Sequence, residues 1–388
     1  MPPEKRARLL MGNEACAEGA IAAGVRFFGG YPITPATETA ETMAKRLPQV
    51  GGVYIQMEDE LGSLAAVVGA SAGGIKAMTA TSSPGFSLML EAISSAIIGE
   101  YPLVVVNVMR LGPGIGNIVA SQMDVMQSRW GAHGGLPMIA FCPASVRETF
   151  DLTIRAVNWS ERLRMPIMLM TDGVVGHMRE KIVFPQPDEI EVWNRPLPTG
   201  DPAEYQCFDP GEDNIPKIAP FGGQYRVHYN TAVHDHRGVT TMADPKWCDY
   251  AVRRLSAKVT AHIEELTDVH TVLMDDAEIA VFAYGPVARA AEASVRQARE
   301  MGIKAGLMRT VTLWPFPEKE VRAMAKQVEV IVVPEMNLGQ MVLEVERCAG
   351  GEAKIESVTR VDSMLITPKQ VLDSIVAVAP RRQVPWPR

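Results

Sequence analysis

The sequence predicts an α/β fold built on a parallel sheet. Short apolar runs such as Val104-Val-Val-Asn-Val-Met109 and Pro166-Ile-Met-Leu-Met170 have strand length and little polar alternation. Such runs belong to strands covered on both faces. They alternate with helical patterns from residue 9 to about 180, and again from 277 to about 380, which is the pattern of helices packed on a parallel sheet. Between the two stretches the pattern stops. Pro185, Pro187, Pro196, Pro198, Pro202, Pro210, Pro216 and Pro220 interrupt any regular element there. The chain is therefore divided into an α/β domain over 1–180, a proline-rich connector over 181–245, and a second α/β domain over 246–388.

The elements follow in order. A helix is expected over 14–23 and a strand over 25–28, which breaks through Gly29-Gly30 into a turn. A helix over 35–47 follows, with Thr34 as its N-cap and Pro35 in its first turn, where a missing N–H costs nothing. Next come a strand over 53–57, a helix over 60–72, a strand over 75–81, a helix over 86–98 and a strand over 103–108. Met138 to Phe141, the amphipathic run 145–162, and 166–170 complete the first half. After the connector, 244–265 reads as a helix. The second half has strands at 278–283, 305–308 and 330–333, a turn at Leu313-Trp-Pro-Phe-Pro317, and a helix opened by Pro334 to Gln340.

A length of 388 residues suits two or three domains. The net charge of -7 offers no basic stripe for nucleic acid and no polybasic patch for a membrane. The basic start, Met1 to Arg6, is followed by no long apolar segment, so no signal peptide is expected. Every apolar run is too short to span a bilayer. The five cysteines, Cys16, Cys142, Cys207, Cys248 and Cys348, include no CxxC pair. Cluster or zinc ligation is not expected here, and a reducing, cytoplasmic compartment is.

In parallel sheets, ligands lie at the carboxyl ends of the strands. Thr34, the Glu58-Asp59-Glu60 carboxylates, Ser82-Ser83 and Arg110 each follow an expected strand, so they should converge on one edge. Each also has a plainer reading. Three carboxylates at a helix N-terminus favour the helix dipole without any chemistry. Thr34 serves as a cap, and Arg110 as a solvated strand-end arginine. The functional alternatives are a desolvated acid at Glu60, with Glu58 second, and a forked carboxylate binder at Arg110. Gly112-Pro-Gly-Ile-Gly116 lacks the order of a nucleotide loop and is followed by no Walker lysine. His234-Asp235-His236 reads as a surface turn. His133 is open between touching the site and a structural role.

Four stretches then carry a resemblance: Tyr31-Pro-Ile-Thr34-Pro35; Met57-Glu-Asp-Glu60-Leu61; Ala77-Met-Thr-Ala-Thr-Ser-Ser-Pro-Gly-Phe-Ser-Leu-Met89; and Val105-Val-Asn-Val-Met-Arg110 with Leu111-Gly-Pro-Gly114. In this order, over nearly the whole chain, the sequence resembles the alpha subunits of the 2-oxoacid:ferredoxin (acceptor) oxidoreductases of the 2-oxoglutarate, branched-chain and aryl type. The resemblance implies a thiamine-diphosphate pyrimidine-binding domain followed by a transketolase C-terminal-like domain. It implies Glu60 as the acid at the pyrimidine N1′. Thr34 and Arg110 would lie at the 2-oxoacid, and Tyr31, Pro32, Ile33 and Ser83 along the cofactor. The activity implied is CoA-dependent oxidative decarboxylation of a 2-oxoacid, with electrons passed to ferredoxin. A beta subunit is expected to bring the diphosphate and Mg2+ site and a [4Fe-4S] cluster, with gamma and ferredoxin-like delta subunits as further partners. Asp172-Gly173 resembles half of the magnesium motif, but Thr171 precedes it and no asparagine follows at the expected distance. Gly114-Ile115 stands where many relatives carry Ser-Thr, which points to a bulkier or less polar substrate. The rivals are a non-redox thiamine decarboxylase or transketolase-like half, and a silent scaffold subunit.

Overall fold

The computed structural model describes residues 7–380; the basic start at 1–6 lies outside them. The first half runs β1 (Ala7–Met11), α1 (Gly12–Ala22), β2 (Phe27–Gly30), α2 (Thr37–Arg46), β3 (Val53–Gln56), α3 (Glu60–Ala72), β4 (Ala77–Thr81), α4 (Ser83–Ile98), β5 (Leu103–Met109), α5 (Gln127–Trp130), β6 (Ala140–Phe141), α6 (Val146–Leu163), β7 (Pro166–Asp172), α7 (Gly173–His177) and β8 (Arg179–Val183). The second half runs α8 (Pro245–Thr260), α9 (Ile263–Leu266), β9 (Val269–Val272), β10 (Ile279–Tyr284), α10 (Val287–Glu300), β11 (Ala305–Thr310), β12 (Thr312–Trp314), α11 (Glu318–Gln327), β13 (Val330–Glu335), α12 (Met341–Ala349), β14 (Lys354–Thr359) and α13 (Pro368–Val378).

A seven-stranded sheet has the order β12-β6-β7-β5-β4-β2-β3 and is parallel except for β12. Strands β5 and β7 are buried throughout. Their alternate residues feed two cores. Val104, Val106, Val108, Ile167 and Leu169 pack with α1 and α6. Leu103, Val105, Met109, Met168 and Met170 pack with α3 and α4. A period of two with both faces apolar explains the unbroken runs in the sequence. The second sheet, β14-β13-β10-β11-β9, is parallel except for β9. Phe282, Tyr284, Ile331 and Val333 join the same core as α3 and α4, so the two sheets share one apolar interior.

Three local expectations change. Strand β2 continues through Gly29 and Gly30, which pair with Ile55 and Gln56 of β3; a Cβ on Gly29 would lie 3.0 Å from the Ser63 carbonyl oxygen, so the glycine lets α3 pack close. The segment read as a turn at 313–317 starts as β12, which pairs with β6 of the first sheet. Helix α12 opens only at Met341, since Glu335 ends β13 and its carboxylate accepts from the Met341 and Val342 amides (2.8 and 2.9 Å).

The connector has no long element; short 3-10 turns at Pro187–Glu189 and Gly211–Asp213 punctuate it. It is held by charge. Arg195 forks onto Glu161 of α6 (2.5 and 2.9 Å), both nearly fully buried. Just beyond it, Arg254 and Lys258 of α8 converge on Glu100, which is wholly buried. Burial pushes the Glu100 carboxyl up, but Lys258 and Arg254 hold it below its ordinary value.

Candidate active site

Strands β2, β3, β4 and β5 run parallel, so their carboxyl ends share one edge. After β2 comes Tyr31 to Pro35. Tyr31, Pro32 and Thr34 are exposed and Ile33 is half-buried. The Thr34 side chain is not a helix cap. The Ala36 amide bonds the Ile33 carbonyl (2.9 Å), and Asn13 holds the Pro35 carbonyl (2.7 Å). This turn delays α2 until Thr37, and its N-cap is Ala36. The Thr34 carbonyl oxygen instead accepts from Arg110 Nη1.

After β3, the three carboxylates separate by role. Glu58 is exposed. Asp59 caps α3, accepting from the Gly62 amide at 2.7 Å. Glu60, the first residue of α3, is only 5 % exposed. Burial pushes its carboxyl above the usual range; the α3 backbone opposes the rise, Asp59 adds to it, and Arg110 opposes it. Against Glu60 lies Gly85 in the first turn of α4. A Cβ there would overlap the Glu60 carboxylate and the Thr81 hydroxyl. The hydroxyls of Thr81 and Ser82 and the Nε of Arg110 are buried without partners. Orphaned polar groups beside a buried acid mark a surface prepared for a polar ligand.

Arg110 follows β5 and is itself buried. Its amide donates to the Ser83 hydroxyl (3.0 Å), which donates to Asp124 Oδ2 (2.5 Å); Asn107 Nδ2 donates to the same oxygen (2.9 Å). Ser83 is therefore engaged in holding Arg110. Burial raises the Asp124 carboxyl, opposed by Ser83 and Asn107. Asp124 stands in an irregular stretch with no motif, so nothing in the sequence marks it.

Asp172, at the end of β7, is fully buried. Its Oδ1 caps α7 through the amides of Val174 and Val175 (2.7 and 3.1 Å), while Oδ2 has no partner. Burial pushes this acid up to about 7 against those two bonds. The second half braces the same edge. Gln122 bonds the Tyr284 carbonyl and the Met336 backbone, and Asn337 bonds the Gln122 carbonyl. Asn337 was available in the Pro334-Glu-Met-Asn run but carried no distinguishing pattern.

Other candidates fall away from this edge. His133 contacts Ser94, eleven residues along α4 from Ser83, roughly 16 Å at the helical rise. His234 and Asp235 do form a turn, but a buried one, in which Asp235 accepts from the Arg237 and Val239 amides. All five cysteines are free thiols, and among the described residues no group of three His, Cys, Asp or Glu is arranged to hold a metal. No described helix is long and apolar enough to cross a membrane.

The chain is similar to known proteins over nearly its whole length. Residues 18–253 match the family described as pyruvate flavodoxin/ferredoxin oxidoreductase, thiamine diphosphate-binding, and 277–371 match the pyruvate:ferredoxin oxidoreductase core domain II. The 2-oxoglutarate synthase subunit KorA of Methanothermobacter thermautotrophicus is 46% identical over 95% of this chain and 97% of its own. The ketoisovalerate oxidoreductase subunit VorB of the same organism is 34% identical over 96% and 98%. The solved 2-oxoglutarate:ferredoxin oxidoreductase of Magnetococcus marinus, with 2-oxoglutarate, coenzyme A and succinyl-CoA bound, superposes with a TM-score of 0.89 at 28% identity. It covers 96% of this chain and 65% of that one. A split-gene transketolase shares the fold alone, at 12% identity and a TM-score of 0.57. With the family match spanning most of its length, the chain belongs to the alpha subunits of the 2-oxoacid:ferredoxin oxidoreductases.

Proposed function

We propose that this chain is the alpha subunit of an enzyme that converts a 2-oxoacid and coenzyme A to an acyl-CoA and carbon dioxide, passing two electrons to ferredoxin. The observation that carries the reading is the buried Glu60 carboxyl packed against Gly85, with Arg110 on the same strand edge. Thiamine diphosphate, when bound, supplies the nucleophilic carbon and the electron sink that decarboxylation needs. Glu60 holds the proton at the pyrimidine N1′; its desolvation favours sharing a proton over full ionisation. Gly85, having no side chain, lets the Glu60 carboxylate and the Thr81 hydroxyl pack directly against the first turn of α4, which fixes where that acid sits. Tyr31, Pro32 and Ile33 border the same edge from the turn after β2. Arg110, with a free Nε, takes the carboxylate of the 2-oxoacid, and Ser83 and Asp124 fix its backbone.

The preferred substrate is 2-oxoglutarate, on the 40–46% identity to relatives named for it. A branched or aryl 2-oxoacid is the second reading. It is favoured by Ile115, 82 % exposed on the loop after Arg110. We assign 1–180 to the cofactor's pyrimidine half, 181–245 to the connector and 246–388 to assembly. A beta subunit would add Mg2+, the diphosphate site and a [4Fe-4S] cluster, with gamma and delta subunits as further partners, in the cytoplasm.

The test is CoA-dependent ferredoxin or dye reduction by the purified alpha–beta complex with pyruvate, 2-oxoglutarate, 2-oxoisovalerate and an aryl 2-oxoacid. The highest kcat/KM is expected with 2-oxoglutarate. Decarboxylation to an aldehyde without reduction of the acceptor would favour the non-redox rival, and no turnover of any 2-oxoacid would end the reading.

A further inference from the structure

At the opposite edge of the seven-stranded sheet from Glu60 lies a cavity of about 180 Å³. A single water requires only ~10–15 Å³ on this measure. Its inner wall comes from the end of α3 and from residues entering β4, β5 and β7. The connector, through Arg195, Leu197 and Phe221, forms the outer wall. Leu197 and Phe221 are both exposed and stand at its mouth.

Arg164 lines this cavity. The residue is 2 % exposed, yet its Nε and Nη1 find no hydrogen-bond partner. It ends α6 in the left-handed conformation, at φ 49°, and Lys258 Nζ holds its carbonyl oxygen. The arginine is therefore anchored with its charge facing inward. The two nearest carboxylates are committed elsewhere. Glu161 gives both oxygens to Arg195, and Glu100 gives its oxygens to Arg254 and Lys258. Lys76 also lines the cavity, donating to the carbonyls of Ala23 and Trp193 (3.0 and 2.5 Å).

Five cationic side chains thus meet two carboxylates: Arg164, Arg195, Arg254, Lys76 and Lys258 against Glu100 and Glu161. An uncompensated buried cation is costly. Burial, with Arg195 adding to it, pulls the Arg164 guanidinium down to about 10. The group remains charged at neutral pH and lacks an anion.

We infer that this cavity binds a small, multiply charged oxyanion (phosphate, sulfate or the phosphate of a monoester) through Arg164 and Lys76, at a site separate from the cofactor edge. The excess of positive charge suits more than one negative charge. Because the connector closes the outer wall, the bound anion would tie the connector to the sheet and stabilise its docked form by linkage. The inference does not depend on the reaction proposed above.

Inorganic phosphate, sulfate and acetate are titrated by calorimetry into the purified full chain, and a crystal is grown in sulfate. Phosphate and sulfate should bind saturably and acetate far more weakly, with oxyanion density against the Arg164 guanidinium. Arg164→Met should weaken phosphate at least about tenfold, as expected for a lost charged hydrogen bond. Should that variant not fold, Lys76→Met carries the measurement and should also weaken phosphate. Waters alone at Arg164 in the sulfate crystal, acetate as tight as phosphate, or wild-type phosphate affinity in either folded variant would overturn the inference.

Discussion

Arg110 reaches back to the Thr34 carbonyl oxygen with Nη1 at 2.7 Å and leaves Nε buried without an acceptor. The guanidinium is thereby oriented by one strand's turn while part of its donor set stays free. Arg110→Lys keeps the charge but loses the planar fork. The KM for the 2-oxoacid should rise about tenfold or more, while thiamine diphosphate affinity changes little. An unchanged KM would return Arg110 to a purely structural tie between β5 and the turn after β2.

Glu60→Gln should lower turnover at least about a hundredfold, the range for a lost acid–base group, with the complex still assembled. Glu58→Gln should be near wild type, since Glu58 is exposed. Steady-state kinetics on both variants decide between them, and the reverse pattern would move the catalytic role to Glu58.

Gly85→Ala places a methyl group where the Glu60 carboxylate and Thr81 hydroxyl already sit. Cofactor binding by the alpha–beta complex should fall sharply, by calorimetry. Gly69→Ala in α3 meets nothing within 4 Å and should be neutral or stabilising by about 0.5–1 kcal/mol. Equal cofactor affinity in Gly85→Ala would show that the placement of Glu60 against Gly85 does not matter to the ligand.

Asp172 binds its proton more tightly in the folded chain, with a value near 7 against an ordinary 3.8. Its contribution to stability is complete below the lower value and is lost as pH rises through the upper one. Asp172→Asn keeps a capping oxygen and cannot ionise. Its melting temperature should therefore gain on wild type between pH 4 and 7, then hold a constant lead. Parallel melting curves at pH 5 and pH 8 with no change in the gap would refute the assignment.

Much of this site was readable because its geometry is local. Helix α3 starts and stops where expected: Asp59 supplies the cap and an apolar run follows at once. The shared edge followed from counting parallel strands. What escaped the sequence depends on distant contacts. Thr34 looks like a cap until the Asn13 contact to Pro35 and the intervening turn are seen. Asp124 becomes significant only through Ser83 and Asn107, each on another element. Strand β1 pairs with β8, from Ala7 with Val183 to Met11 with Arg179, a distant partnership that neither five-residue run announces. Asp172 has a signal in the sequence, a strand-end acid before glycine, and that pattern suits a buried helix cap as well as half of a magnesium motif.

Strand β12 belongs by sequence to the second half and by hydrogen bonding to the first, where it covers the outer side of β6. It works as a clasp. A fragment ending before residue 277 would leave β6 with unpaired backbone groups at an open sheet edge, the kind of edge that recruits a strand from another chain. Shortened versions of this protein should therefore self-associate, since the cut also uncovers the apolar interior that the two sheets share, and the proline-rich boundary does not separate two independent units.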